Sequence, residues 1–431
     1  MQSLSATAPP FRLDFLDGLR ALAALWVMFG HIHLFSYGWD HHTSLLTIPL
    51  NGLLYLHMGV DVFLVLSGFC LALPVVRNGN QMRTGLLGYF KARSLRILPP
   101  YFAVLLLILA VNFFLPIVTW GRHPMGLTSD IPYQVLLSNF LLLQDLFPQF
   151  NGINGPFWSI ATEWHLYFLF PLAIWLLRKF GAWTLLISGA LLAAALTWRS
   201  LNASIILESL QMSVPQPPYF VLLFVMGIVS AWFVFGENSQ PRNKTYGKVI
   251  WAAAALLLLP LGWLLWKYRI IDGSNVHLFM DNTYQIDPVA GAVTALALAG
   301  LSGLPVTHIA RRFLETRVLV WIGGFSYSLY LVHIPILATL AHALDILMPQ
   351  KTQHHAFFLL SLIGGGLCMG FAYYFSKVFE TRLWMRPFVS PSAKETAQAI
   401  RLRMLELEKE HNKLKQMLEE MSAIPLREGK E

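Results

Sequence analysis

The chain has 431 residues, 56% apolar and only 13% charged, with a formal net charge of +8 and a mean hydropathy of +0.55. So few charges cannot coat a water-soluble globule of this size, and the composition reads as a polytopic membrane protein. The basic residues sit in short clusters between apolar runs, a pattern of membrane orientation rather than of nucleic-acid binding.

Apolar runs near 15–36, 55–76, 97–118, 157–177, 182–200, 218–235, 249–266, 287–304, 318–341 and 355–379 predict an all-α protein of about ten transmembrane helices. The first run is long, carries Arg20 and lacks a small-residue cleavage site, so it reads as a retained span rather than a signal peptide. The run 132–148 is shorter and broken by Pro132, Asn139, Gln144, Asp145 and Pro148, which predicts a re-entrant or interfacial segment. With the amino terminus inside, the cytoplasmic loops hold Arg77, Arg93, Arg96, Arg178, Arg311 and further basic residues. The opposite loops hold only Arg122, Arg199, Lys267, Arg269 and Lys351, so both termini are expected in the cytoplasm.

The membrane unit is expected to occupy residues 1–390 and a cytoplasmic tail 391–431. In the tail, Ile400, Met404, Leu407, His411, Leu414, Leu418 and Met421 recur in steps of four and three. This predicts a short coiled coil over 397–421 and a possible homo-oligomer, with a single amphipathic helix on the membrane as the alternative.

Arg20 and His31 interrupt the first span eleven residues apart, on one helix face and about 16 Å apart along the axis. Ionisable groups inside lipid mark function by default. His31 has the chemistry of a general base near neutral pH, or it is held by a neighbouring helix; His33 is expected at the interface. Arg93 and Arg96, one turn apart before Pro99 and Pro100, suit a phosphate-bearing ligand or simply anchor the span. Glu163 must be paired or protonated, and it either orients an imidazole, grips an acceptor or bridges to Arg20. His165 falls on a different helix face from Glu163. Asp61 is equally ambiguous, with His57 one turn earlier as its expected partner. His333 ahead of Pro335 is a second polar site or a kink contact. The loop 267–286 is expected to be solvated, with acceptor contact as the alternative. Cys70 and Cys368 lie in apolar runs, and no nucleotide loop, nucleophile elbow or metal-ligand spacing occurs, so no metal is expected.

Several motifs then resemble one family in order. Asp17 through Leu25 with His31, Gly59 through Phe69, Arg93 through Tyr101, Trp158 through Pro171 and Ser326 through His333 are similar to the acyltransferase-3 family of integral-membrane O-acyltransferases, over about residues 11–388. The resemblance implies a ten-helix enzyme of a bacterial plasma membrane that holds no permanent cofactor. It would take an acyl group, acetyl being the expected one, from cytoplasmic acyl-CoA. The acceptor would be a hydroxyl of an extracytoplasmic saccharide or glycolipid. The family's Arg-x10-His pair falls on Arg20 and His31, its Arg-x-x-Arg pair on Arg93 and Arg96, and its glutamate on Glu163, while Asp61 and His333 are candidate substrate contacts. His165 departs from the family, where Gln is frequent. The alternative reading is a transporter or flippase for a lipid-linked saccharide, which would move substrate without cleaving a thioester.

Overall fold

The computed structural model describes residues 13–39, 47–82, 85–114, 131–146, 152–207, 219–236 and 239–380, with only the backbone of 114, 200–207 and 239–245. The tail with its heptad pattern, together with Arg122 and Pro148, lies outside the described residues. One compact unit runs to Ser376 and a second from Lys377, of which only 377–380 are described. All regular structure among the described residues is helical.

Helix α1 (Asp14–Tyr37) forms from an apolar run with Asp14 and Asp17 in its first turn, where a carboxylate favours the helix dipole. It ends at Gly38, whose φ of 68° stops the helix at little cost. A 3₁₀ stretch (Ile48–Tyr55) leads into α2 (Met58–Val76). Then follow α3 (Gly85–Phe114), α4 (Tyr133–Phe140), α5 (Phe157–Phe180), α6 (Ala182–Leu207), α7 (Phe220–Phe235) and α8 (Ser239–Lys267). The remainder comprises α9 (Val276–Met280), α10 (Thr283–Gly303), α11 (Ile309–Leu314), α12 (Arg317–Gly323), α13 (Ser326–Leu347), α14 (Gln353–Leu359) and α15 (Gly365–Phe379), with a π-helical stretch (Leu360–Gly364) before α15.

Nine described segments are long and apolar enough to cross a bilayer, and they match nine of the ten predicted spans. The remaining predicted span is α7, whose 16 residues fall short of that length. Large apolar side chains face outward, including Trp183 at 76% and Leu259 at 69% exposure, as a lipid-facing surface requires. The chain is an integral membrane protein.

Two boundaries differ from the sequence reading. The third span begins at Gly85 rather than near 97, because Pro99 and Pro100 are accommodated inside α3, so Arg93 and Arg96 are helical rather than flanking. The run 318–341 is two helices, with the chain turning at Gly324 and Phe325 before α13 begins. Helix α4 has 8 residues, too short to span. The polar residues around it are buried rather than placed at a membrane surface. Tyr101 donates to the Asn139 carbonyl at 2.8 Å, and the Gln144 amide donates to the Phe157 carbonyl at 3.0 Å.

At the centre, α2 packs on α7 with the backbones nearly touching. A Cβ added at Gly68 would lie 2.0 Å from the Phe224 carbonyl oxygen, and one at Gly227 would lie 2.1 Å from that of Val65. Only glycine permits this approach, the usual way that membrane helices gain packing without a hydrophobic drive between them. Around this pair, α1, α5, α10 and α13 present the polar side chains described next.

Candidate active site

Two cavities penetrate the bundle from opposite ends of α1 and α2. The first is lined by Arg20 near the start of α1, Ser67 and Cys70 late in α2, Arg93 and Arg96 on α3, and Glu163 and Tyr167 on α5. The Arg20 guanidinium donates to Asp17 at 2.6 Å and to the Cys70 sulfur at 2.9 Å. Glu163 accepts from the Ser67 hydroxyl at 2.6 Å and the Tyr167 hydroxyl at 2.7 Å. The expected alternative of an Arg20–Glu163 bridge is therefore not what satisfies this carboxylate: hydroxyls on its own helix and on α2 reach it first. Among the described residues no carboxylate stands within ion-pair distance of Arg93 or Arg96. With Arg20 they give this cavity a surplus of fixed positive charge, suited to an anionic ligand.

The second cavity is lined by His31 and Leu34 in the second half of α1, Trp39 just past its end, His57 at the start of α2, Trp158, and Met280 and Thr283. Val60 and Tyr330 line both cavities, which therefore adjoin at those side chains. Although Arg20 and His31 share a helix, they open into different cavities, because the eleven-residue separation spans the partition rather than one chamber.

His31 and His333 meet, an arrangement not foreseen from 302 residues of separation, with His333 Nε2 lying 3.1 Å from His31 Nδ1. His31 Nδ1 also lies 2.9 Å from the Val27 carbonyl oxygen, and His333 Nδ1 lies 3.2 Å from that of Leu329. Carbonyl oxygens only accept, so both Nδ1 atoms carry hydrogen, and the single His31 Nδ1–H is shared between the Val27 carbonyl and His333 Nε2. This leaves His31 Nε2 with a free lone pair and no protein partner among the described residues. Tyr330 lies beside the pair, its ring 5.8 Å from that of His333 and its hydroxyl 2.7 Å from that of Ser159.

Other expectations are revised. His33 is fully buried rather than interfacial, because α1 is enclosed on that side as well. His57 pairs not with Asp61 but with Asp287 of α10, Nε2 to Oδ2 at 2.8 Å, since α10 packs against the start of α2. Asp61 is fully buried beside them and lines neither cavity. His165 faces away from Glu163, as its helix position requires, and pairs with Asp145 at 2.8 Å. The 267–286 loop contains α9, with Ile270 and Phe279 fully buried, and its Met280 reaches the second cavity.

The sequence reading missed Ser67, Tyr167, Tyr330 and Asp287. Asp287 was accessible to the rule that singled out Asp61, since it too is a lone carboxylate at the start of an apolar run. The hydroxyl groups gave no such signal, because Ser and Tyr are unremarkable in membrane helices.

Residues 13–377 match a family model described as an acyltransferase domain. The chain is 30% identical to the acyltransferase MdmB of Streptomyces mycarofaciens, over 76% of this chain and 79% of that protein. It is 25% identical to the O-acetyltransferase OatA of Staphylococcus aureus over 76% of this chain, and 21% identical to the peptidoglycan O-acetyltransferase OatA of Listeria monocytogenes over 78%. The alignment spans about half, 51%, of each OatA chain. No solved structure matches.

Proposed function

This chain belongs to the acyltransferase-3 family of membrane O-acyltransferases, and from that premise we propose that it moves an acyl group, acetyl first among them, from cytoplasmic acyl-CoA to an extracytoplasmic hydroxyl. The observation that carries the reading is the meeting of a cavity lined by three arginines with a cavity lined by His31, at Val60 and Tyr330.

In this reading Arg93 and Arg96, with Arg20, hold the donor's phosphates, matching guanidinium donors to phosphoryl oxygens. The pantetheine arm extends past Tyr330 and brings its thioester to His31. The acceptor enters by the second cavity, where Trp39 and Trp158 line the wall with aromatic surface of the kind sugar rings pack on. His31 Nε2 takes the hydroxyl proton as the oxygen attacks the thioester carbonyl; the new C–O bond forms, the C–S bond breaks, and the proton passes to the departing thiolate. Transient acyl transfer to the same nitrogen is the variant of this step.

Glu163 is a positioning residue here, holding Ser67 and Tyr167 in the wall between the arginines and Tyr330. The acceptor we favour is a cell-surface saccharide of a bacterial plasma membrane, in line with the peptidoglycan named for the Listeria relative.

The test is thioester cleavage by the purified protein in liposomes supplied with acetyl-CoA and acceptor. Free thiol should appear with the wild type and fall to background with His31→Ala. Equal thiol release by the variant would refute the assignment of His31, and saccharide movement without any thiol release would favour a transporter.

A further inference from the structure

Where α2 begins, three ionisable side chains from two helices converge outside the chemistry proposed above. His57 precedes α2, Asp61 lies one turn into it, and Asp287 lies one turn into α10. Both aspartates are fully buried. One ligand atom from each of the three residues lies within 4.8 Å of the others.

The bonding around them is incomplete. His57 satisfies one oxygen of Asp287, while Asp61 Oδ1, Asp61 Oδ2 and Asp287 Oδ1 have no hydrogen-bond partner among the described residues. A buried carboxylate must be paired, protonated or metal-bound, and no described Lys or Arg reaches either one. The two carboxylates face one another, with the Tyr219 hydroxyl beside Asp287, so a proton shared between them is the competing arrangement that the test must separate. An imidazolium at His57 would serve Asp287 alone.

One divalent cation balances the two carboxylates, takes oxygens that otherwise lack a partner, and replaces the His57–Asp287 hydrogen bond with a bond to the Nε2 lone pair. One imidazole with two carboxylates is a set of intermediate softness, matching Zn²⁺ or Mn²⁺ rather than the all-oxygen shells of Ca²⁺ or Mg²⁺.

We propose that His57, Asp61 and Asp287 bind one divalent transition-metal ion, which ties α2 to α10 beside the second cavity and fixes the His57 ring in its wall. The ion's role is separate from the acyl-transfer reading, and its test needs no turnover.

The protein, carrying no histidine tag, is stripped with a chelator in detergent and equilibrated with Zn²⁺ or Mn²⁺. Bound metal is then measured by mass spectrometry, and thermal unfolding is followed in parallel. One equivalent per chain is expected with the wild type, with a raised midpoint, and both should be lost in Asp61→Asn and Asp287→Asn. A wild-type protein that takes up no stoichiometric metal overturns the proposal whatever the variants do. So does an infrared band of a protonated carboxyl, absent from Asp61→Asn, in protein that binds none. Variants that stay monodisperse and bind as much metal as the wild type would overturn it equally.

Discussion

At the scale of single residues, the chemistry rests on which nitrogen of His31 is free. The contacts to Val27 and His333 assign the hydrogen to Nδ1 and leave Nε2 as the basic atom. General-base groups contribute about 10²–10⁴-fold in rate, so His31→Ala should lower kcat by that order while acetyl-CoA binding, measured by calorimetry, stays unchanged. His333 acts through His31: His333→Phe removes the acceptor that orients the ring, and a misplaced catalytic group costs about 10²-fold. The effect should fall on kcat with KM for acetyl-CoA preserved, and His333→Gln, which keeps an acceptor, should recover part of it. Tyr167→Phe takes one of two hydroxyls from Glu163; a hydrogen bond to a charged group is worth about 1.5–3 kcal/mol, to be read as a lowered thermal midpoint.

At the scale of elements, α3 carries the phosphate clamp and the α2–α7 contact carries the packing. Arg93→Ala and Arg96→Ala should each raise KM for acetyl-CoA by roughly 10- to 100-fold, a charge-assisted contact each, and leave kcat nearly intact. Raising salt should reproduce the trend in the wild type, since Arg96 is solvent-exposed and screened. Gly227→Ala forces a methyl group onto the Val65 carbonyl, and overpacking of this kind costs about 1–3 kcal/mol, measurable by unfolding in detergent. Element positions were legible in the sequence because apolar length is a strong signal, and all ten predicted runs coincide with helices. Their ends were less so: tertiary packing holds Pro99 and Pro100 inside α3, against the local tendency of proline to start or break a helix.

At the scale of the whole molecule, polar residues that the sequence scatters over more than 300 positions are gathered into two adjoining chambers. Arg20, His31 and Glu163 were legible as isolated costs in lipid, and Arg93 and Arg96 as a basic pair at the mouth of a span; the four other than His31 line one cavity while His31 lines the other. Their partners were not legible, because a hydroxyl against Glu163, or His333 against His31, depends on helix packing that periodicity does not encode. Asp61 shows the same limit: it was singled out with an ambiguous role, but its neighbour Asp287 belongs to a helix more than 200 residues away. The two-chamber arrangement predicts that donor and acceptor approach from opposite faces of the membrane. The direct measurement uses proteoliposomes of uniform orientation, with labelled acetyl-CoA outside on the Arg93 side and a saccharide acceptor sealed within. The account predicts free CoA outside and an equal amount of labelled ester inside, both abolished by His31→Ala. Ester formed only when donor and acceptor are on the same side would contradict it.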